Sequence, residues 1–168
     1  MGLPPSNKLL ACKWNFKRKL KANGSIDKYK ARLVGKGFKQ KDLDFFNTYS
    51  LVTRITSIRV LIAIIALHNP KIHQMDVKTT FLNGELKKET YMEQPKGFIT
   101  LRQEKNVCKV VKSLYGLKQA PKQWHKKFNN ILLSNDFKIN QCNRCVYAKS
   151  TPIGYVIVCL YVDDMLIF

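Results

Sequence analysis

An α+β fold is what this sequence predicts, on three observations. Stretches of alternating apolar and polar residues are interleaved with two stretches at helical spacing, without a regular βαβ alternation. Hydrophobic residues make up 45% of the 168 and aromatics 11%, which allows a sizeable core and argues against disorder. Repeats, low-complexity tracts and Gly/Ser linkers do not occur, so one domain, or one and a part, is expected.

The elements follow in order. From Cys12 to Leu20 the residues alternate, with Trp14, Phe16 and Leu20 on one face and Lys13, Lys17 and Lys19 on the other. Asn23-Gly24 suits the positive φ of a tight turn, and Ile26 to Val34 runs back with Tyr29, Ala31 and Leu33 opposed to Lys28, Lys30 and Arg32. This is a basic β-hairpin. Thr53 to Leu67 predicts a helix, because Ile55, Ile58, Leu61, Ile62 and Ile65 keep helical spacing and Asn69-Pro70 supplies a stop. A short strand over Ile72 to Val77 leads into Phe81 and a turn at Asn83-Gly84; Val107 to Val111 reads as another strand. Pro121 opens a second helix with Trp124, Phe128, Ile131 and Leu132 as its apolar stripe and Lys122, Lys126 and Lys127 elsewhere on it. Tyr155 to Tyr161 is an apolar, β-rich run, interrupted by Asp163-Asp164 and resumed from Met165 to Phe168.

Thirty Lys and Arg against 11 Asp and Glu give a formal charge of +19. The simplest use of that excess is to offset a polyanion, since neutralising phosphates releases condensed counterions. The longest apolar stretch, Val60 to Leu67, is far short of a membrane span, and the start, MGLPPSNKLL, lacks the core of a secretory signal. Met1-Gly2 with Ser6 superficially fits an acylation pattern, but Pro4 and Pro5 sit beside it. No membrane partner is expected. Five scattered cysteines suggest reduced thiols and an intracellular, cytoplasmic or nuclear, protein. Cys142 and Cys145 have zinc-ligand spacing without the second pair a structural site wants. None of His68, His73 and His125 has the spacing of a general base.

Acids are scarce, so their placement matters. Asp163-Asp164 lies between two apolar strand-like segments in YVDDMLIF. A hairpin tip explains one Asp as a turn residue. Two adjacent carboxylates against apolar strands cost more, because like charges repel and lose solvation. A divalent cation removes both problems, and Asp76, at a second strand end in HQMDV, could complete its site. Hard oxygen ligands suit Mg²⁺, which also takes phosphate oxygens. On the pair alone, metal site and structural turn both stay open.

The pair is not alone. CKWNFKRKL, NGSIDKYKARLVGKGFKQ, HQMDVKTTFLNGEL, YMEQPKGF, SLYGLKQAPKQW and LYVDDMLIF occur in this order over Leu3 to Phe168. Together they resemble the reverse transcriptase domain of Ty1/copia-type retrotransposon Pol polyproteins. The resemblance implies a right-hand polymerase with an antiparallel palm sheet packed with helices: fingers over about 1–52 and 84–119, palm over about 53–83 and 120–168. It implies RNA-directed DNA synthesis by two-metal nucleotidyl transfer to a primer 3′-hydroxyl, with two Mg²⁺ or Mn²⁺ ions. The partners it implies are an RNA or DNA template with primer, and deoxynucleoside triphosphates. Asp76, Asp163 and Asp164 match the catalytic aspartates; the first two hold the metals, and Asp164 acts more through charge and local geometry. Phe81 matches the aromatic gate against a ribose 2′-hydroxyl. Tyr115 and Gly116 match the motif lining the nucleotide pocket, where Pro121 starts the helix behind the template. Arg32 and Lys30 match the basic strand that clamps the triphosphate, a planar guanidinium suiting bidentate phosphate contact. Trp14, Phe16, the Ile-rich helix, Trp124 and Phe128 are expected in the core.

The sequence departs from the family pattern in places. Asn15, Gly35, Leu51 and Thr80 stand where Val, Ala, Pro and Ala are expected. The family also continues into a primer grip, a thumb and an RNase H domain, absent from these 168 residues. The chain therefore reads as a fragment with reduced or no activity, the alternative being a nucleic-acid-binding remnant without catalysis.

Overall fold

A computed structural model of the protein describes residues 2–5, 7–40, 50–68, 71–99 and 101–168. Met1 and Ser6, the helix stop at Asn69-Pro70 and the side chain of His68 lie outside the described residues.

After the short strand β1 (Leu9–Leu10), strands β2 (Cys12–Leu20) and β3 (Ile26–Gly35) pair antiparallel as a two-stranded sheet. Between them only Gly24 has positive φ, 81°, and the loop closes through Lys21 N–H to the Ser25 carbonyl at 2.8 Å. Asn23 caps the loop with its side-chain oxygen, which accepts from Ser25 N–H at 3.1 Å. The expected core role of the hairpin aromatics needs correcting. Phe16 is 74% exposed; Trp14 is half-buried, stacked on Phe16 at 6.1 Å and donating its indole N–H to the Lys96 carbonyl at 3.0 Å. The face alternates as the sequence implies, but most of it carries no second layer to bury it.

Helix α1 (Ile55–His68) brings a second correction. Ile58 and Leu61 are half-buried and Ile65 is buried, one stripe at helical spacing. Ile55, Val60, Ile62, Ile64 and Leu67 are exposed, so the Ile-rich helix is core along one side alone. A helix apolar all round can bury only the stripe that meets the rest of the protein. Its start is fastened by Thr53, 1% exposed, whose hydroxyl donates to the Leu160 carbonyl at 2.8 Å.

Strands β4 (His73–Asp76), β5 (Glu85–Glu93), β6 (Val107–Lys112), helix α2 (Ala120–Ser134) and strands β7 (Lys138–Ile139), β8 (Val146–Thr151), β9 (Gly154–Tyr161) and β10 (Asp164–Ile167) complete the fold. An antiparallel five-stranded sheet runs β4-β10-β9-β8-β7, and β5 is the middle of a smaller sheet, β1-β5-β6. Helix α2 packs on the five-stranded sheet through Trp124 and Phe128, which meet Tyr147, Val158 and Leu160 in the main core. Its remaining expected stripe splits: Leu132 joins this core as a partly buried residue, whereas Ile131 is 49% exposed. The α+β class holds. Among the described residues, no helix is long and apolar enough to cross a membrane.

Candidate active site

Two neighbouring strands bring the aspartates together. β4 ends at Asp76 and β10 begins at Asp164, and these residues are direct partners in the antiparallel register. Opposed residues of such a pair share a face, with Cβ atoms about 4.5–5.5 Å apart. Asp163 occupies the turn between β9 and β10, and its carbonyl accepts the Val77 N–H at 2.9 Å. That bond ties the turn to the residue following Asp76. Asp76 and Asp163 are exposed and Asp164 is half-buried.

A cavity of about 380 Å³ opens beside this turn, and Lys30, Arg32, Asp76, Tyr115 and Asp163 all line it. The hairpin therefore brings two cations to the cavity that holds two of the carboxylates. Arg32 lies over the Tyr115 ring, 5.2 Å from its centroid, a cation–π contact that limits where the guanidinium points. Lys78 and Thr79 also line the cavity, which the sequence reading missed. Both directly follow Asp76, so their proximity was readable; the left-handed φ of 54° at Thr79 was not.

Phe81 and Gly116 fall on a different wall. They line an apolar cavity of about 420 Å³ with Pro121, Trp124, Leu160 and Val162. Phe81 meets Tyr115 edge to face at 5.3 Å, so this aromatic pair separates the two cavities. Gly116 has φ 85°, and a Cβ there would strike the Gly35 carbonyl oxygen and Val34. Its glycine is required by contact between the 114–117 loop and β3, which also bond through Gly35 N–H to the Tyr115 carbonyl at 2.8 Å.

The departures from the family pattern also find places. Thr80 is 2% exposed, and its hydroxyl donates to the Val77 carbonyl at 2.7 Å, so the extra polar group is satisfied. Gly35 packs so closely on Leu10 and Leu117 that a Cβ would come 3.1 and 3.3 Å from their methyl groups. Asn15 is exposed opposite Arg32, and Leu51 lines the apolar cavity.

Away from the aspartates, His125 Nε2 lies 3.4 Å from Cys145 Sγ. Burial pushes the Cys145 thiol up to about 11 and holds His125 below its ordinary value. Burial and the neighbouring Cys145 push Cys159 up to about 11 as well. These are protonated thiols and a neutral imidazole, not an activated nucleophile. All five cysteines are free, and no group of three or more His, Cys, Asp or Glu among the described residues could hold a metal ion as a ready-made cage.

The family described as "Reverse transcriptase (RNA-dependent DNA polymerase)" matches residues 1–168. The chain belongs to this reverse transcriptase family. It is 46% identical over 167 residues to the "Retrovirus-related Pol polyprotein from transposon TNT 1-94" of Nicotiana tabacum, covering 98% of this chain and 13% of that protein. It is 41% identical over 168 residues to the polyprotein from transposon RE1 of Arabidopsis thaliana, covering 98% of this chain and 11% of that protein. A "Transposon Ty1-NL2 Gag-Pol polyprotein" of Saccharomyces cerevisiae is 29% identical over 146 residues, 83% of this chain and 8% of that protein. These relatives are copia-type Pol polyproteins, and this chain spans about an eighth or less of their length. No solved structure matches the chain.

Proposed function

We propose that this reverse transcriptase domain joins a deoxynucleotide to a primer 3′-hydroxyl at the cavity shared by Asp76 and Asp163, with release of pyrophosphate. The observation that carries this reading is that Lys30 and Arg32 line the same cavity as those carboxylates. On this reading β4, β10 and α2 belong to a palm and the β2–β3 hairpin to fingers.

Lys30 and Arg32 receive the triphosphate, and the Tyr115 ring keeps the Arg32 fork turned toward it. Phe81 lines the neighbouring cavity and acts through Tyr115, which it braces edge to face; the pair narrows the space for the sugar and disfavours a 2′-hydroxyl. The basic hairpin guides the template by charge. Two exposed carboxylates on one cavity suit Mg²⁺ or Mn²⁺, which bind through one or two carboxylates, waters and substrate phosphates. Asp76 and Asp163 would hold such ions, with Asp164 adding charge from the adjacent strand position. When bound, a divalent cation offsets charge on the transferring phosphoryl group and lowers the pKa of the attacking hydroxyl.

Primer extension on an RNA template with Mg²⁺ or Mn²⁺ tests the reading, beside Asp163→Asn. Extension that survives Asp163→Asn refutes the assigned role. A second reading, nucleic-acid binding without chemistry, is favoured by the exposed basic hairpin. It is the outcome if the folded chain binds primer–template in low salt and never extends it.

A further inference from the structure

The β9–β10 turn is held in a conformation its own residues do not favour. Only Val162 and Asp163 separate Tyr161 from Asp164, and Val162 has φ 59°. Glycine and asparagine take this left-handed region readily, whereas a β-branched side chain is an outlier there. Such strain persists only where the surroundings impose it. Two bonds from different elements do so. The Val77 N–H, just after β4, donates to the Asp163 carbonyl at 2.9 Å, and the Trp124 indole N–H, from α2, donates to the Val162 carbonyl at 2.9 Å.

Trp124 is suited to this. It is 6% exposed and fixed by Phe128 at 5.6 Å, within the core that also holds Tyr147 and Leu160. A buried indole donor must find an acceptor, and here it takes a turn carbonyl instead of a helix or strand carbonyl. We propose that Trp124 is a positioning residue: its N–H clamps the strained Val162 turn so that the Asp163 carboxylate stands beside Asp76. This rests on the reading of Asp76 and Asp163 as the metal-holding pair. It adds a role for a side chain that packing alone would explain as core.

The experiment is Mn²⁺ binding to the 168-residue chain, read by water-proton relaxation, with hydrogen exchange of the Val77 amide as a second readout. Trp124→Phe keeps a ring in the core and removes the N–H. It is expected to weaken Mn²⁺ binding about 5–10-fold and to accelerate Val77 exchange by a similar factor, in line with one buried hydrogen bond. Adding Val162→Gly, which accepts positive φ without strain, is expected to recover most of the lost affinity, a rescue that repacking of a core ring would not produce. If Trp124→Phe does not fold, benzothienylalanine at position 124 preserves the bicyclic shape without the N–H and is read in the same way. Unchanged Mn²⁺ affinity and unchanged Val77 exchange, in a chain where Asp163→Asn does weaken Mn²⁺, overturn the clamp and leave the site standing. Asp163→Asn without effect on Mn²⁺ overturns the site and the positioning role together.

Discussion

Asp163 and Asp164 are adjacent in sequence and placed differently. Asp163 shares the cavity with Asp76, Lys30 and Arg32; Asp164 is half-buried at the register position opposite Asp76. Asp164→Asn is therefore expected to retain more Mn²⁺ affinity than Asp163→Asn, measured by the same relaxation titration; equal losses would refute the distinction. His125 gives a prediction of a different kind. Burial lowers its folded-state pKa below 6.5, so below that pH the unfolded chain takes a proton that the folded chain refuses. Its contribution is fully present above pH 6.5 and is lost as pH falls through 6.5 toward the lower folded value. Urea midpoints should fall between about pH 7.5 and pH 5.5, and less so in His125→Gln, where no such titration remains. At this scale the sequence singled out Asp76, Asp163, Arg32 and Lys30, residues whose chemistry lies in the side chain itself, and all four line one cavity. It concealed those whose role depends on backbone geometry. Nothing in a valine announces φ 59°, and Trp124 on an apolar stripe does not say which carbonyl its N–H will reach.

The β2–β3 hairpin sets like charges directly across from one another, Lys17 opposite Lys30 and Lys19 opposite Lys28. Such pairs destabilise a sheet unless an anion lies over them. Replacing Lys17, Lys19 and Lys28 with Gln should thus act in two directions. The free chain should melt slightly higher, while the slope of binding against salt on a single strand should shrink by about 0.7 for each phosphate that is no longer neutralised. Unchanged slope would mean that the hairpin does not meet nucleic acid. The alternation that made this element readable failed elsewhere. Strand β5, ELKKETYME, is rich in Glu and Lys and buries the consecutive residues Tyr91 and Met92, which point to opposite faces of its sheet, so both faces are covered there. Strand β8 likewise buries Val146 and Tyr147 side by side. Neither strand shows the period of two that marks one exposed face, and so neither was legible. Helix α2 was, since its stripe faces a single sheet.

At the scale of the whole molecule, α1 decides how much of the apolar content is core. Its sequence offers two stripes: Ile58, Leu61 and Ile65 turn toward the protein, and Val60, Ile64 and Leu67, at the same helical spacing, turn to solvent. Periodicity cannot choose between stripes of equal hydrophobicity; only the surface against which the helix packs does. The two should respond oppositely to substitution. Ile65→Ala removes buried methylenes and should cost about 2 kcal/mol, the low end for a buried isoleucine at a site that can partly collapse. Val60→Glu with Ile64→Glu touches solvent-facing positions and should change stability by about 0.5 kcal/mol or less each. It should also lower binding of a hydrophobic dye and self-association, because it breaks a contiguous apolar surface on a protein whose charge of +19 otherwise keeps copies apart. Urea unfolding and sedimentation of the two variants measure both effects. A large loss of stability in the glutamate variant would show that the outer stripe is packed within the domain, and would reverse the assignment of the two faces.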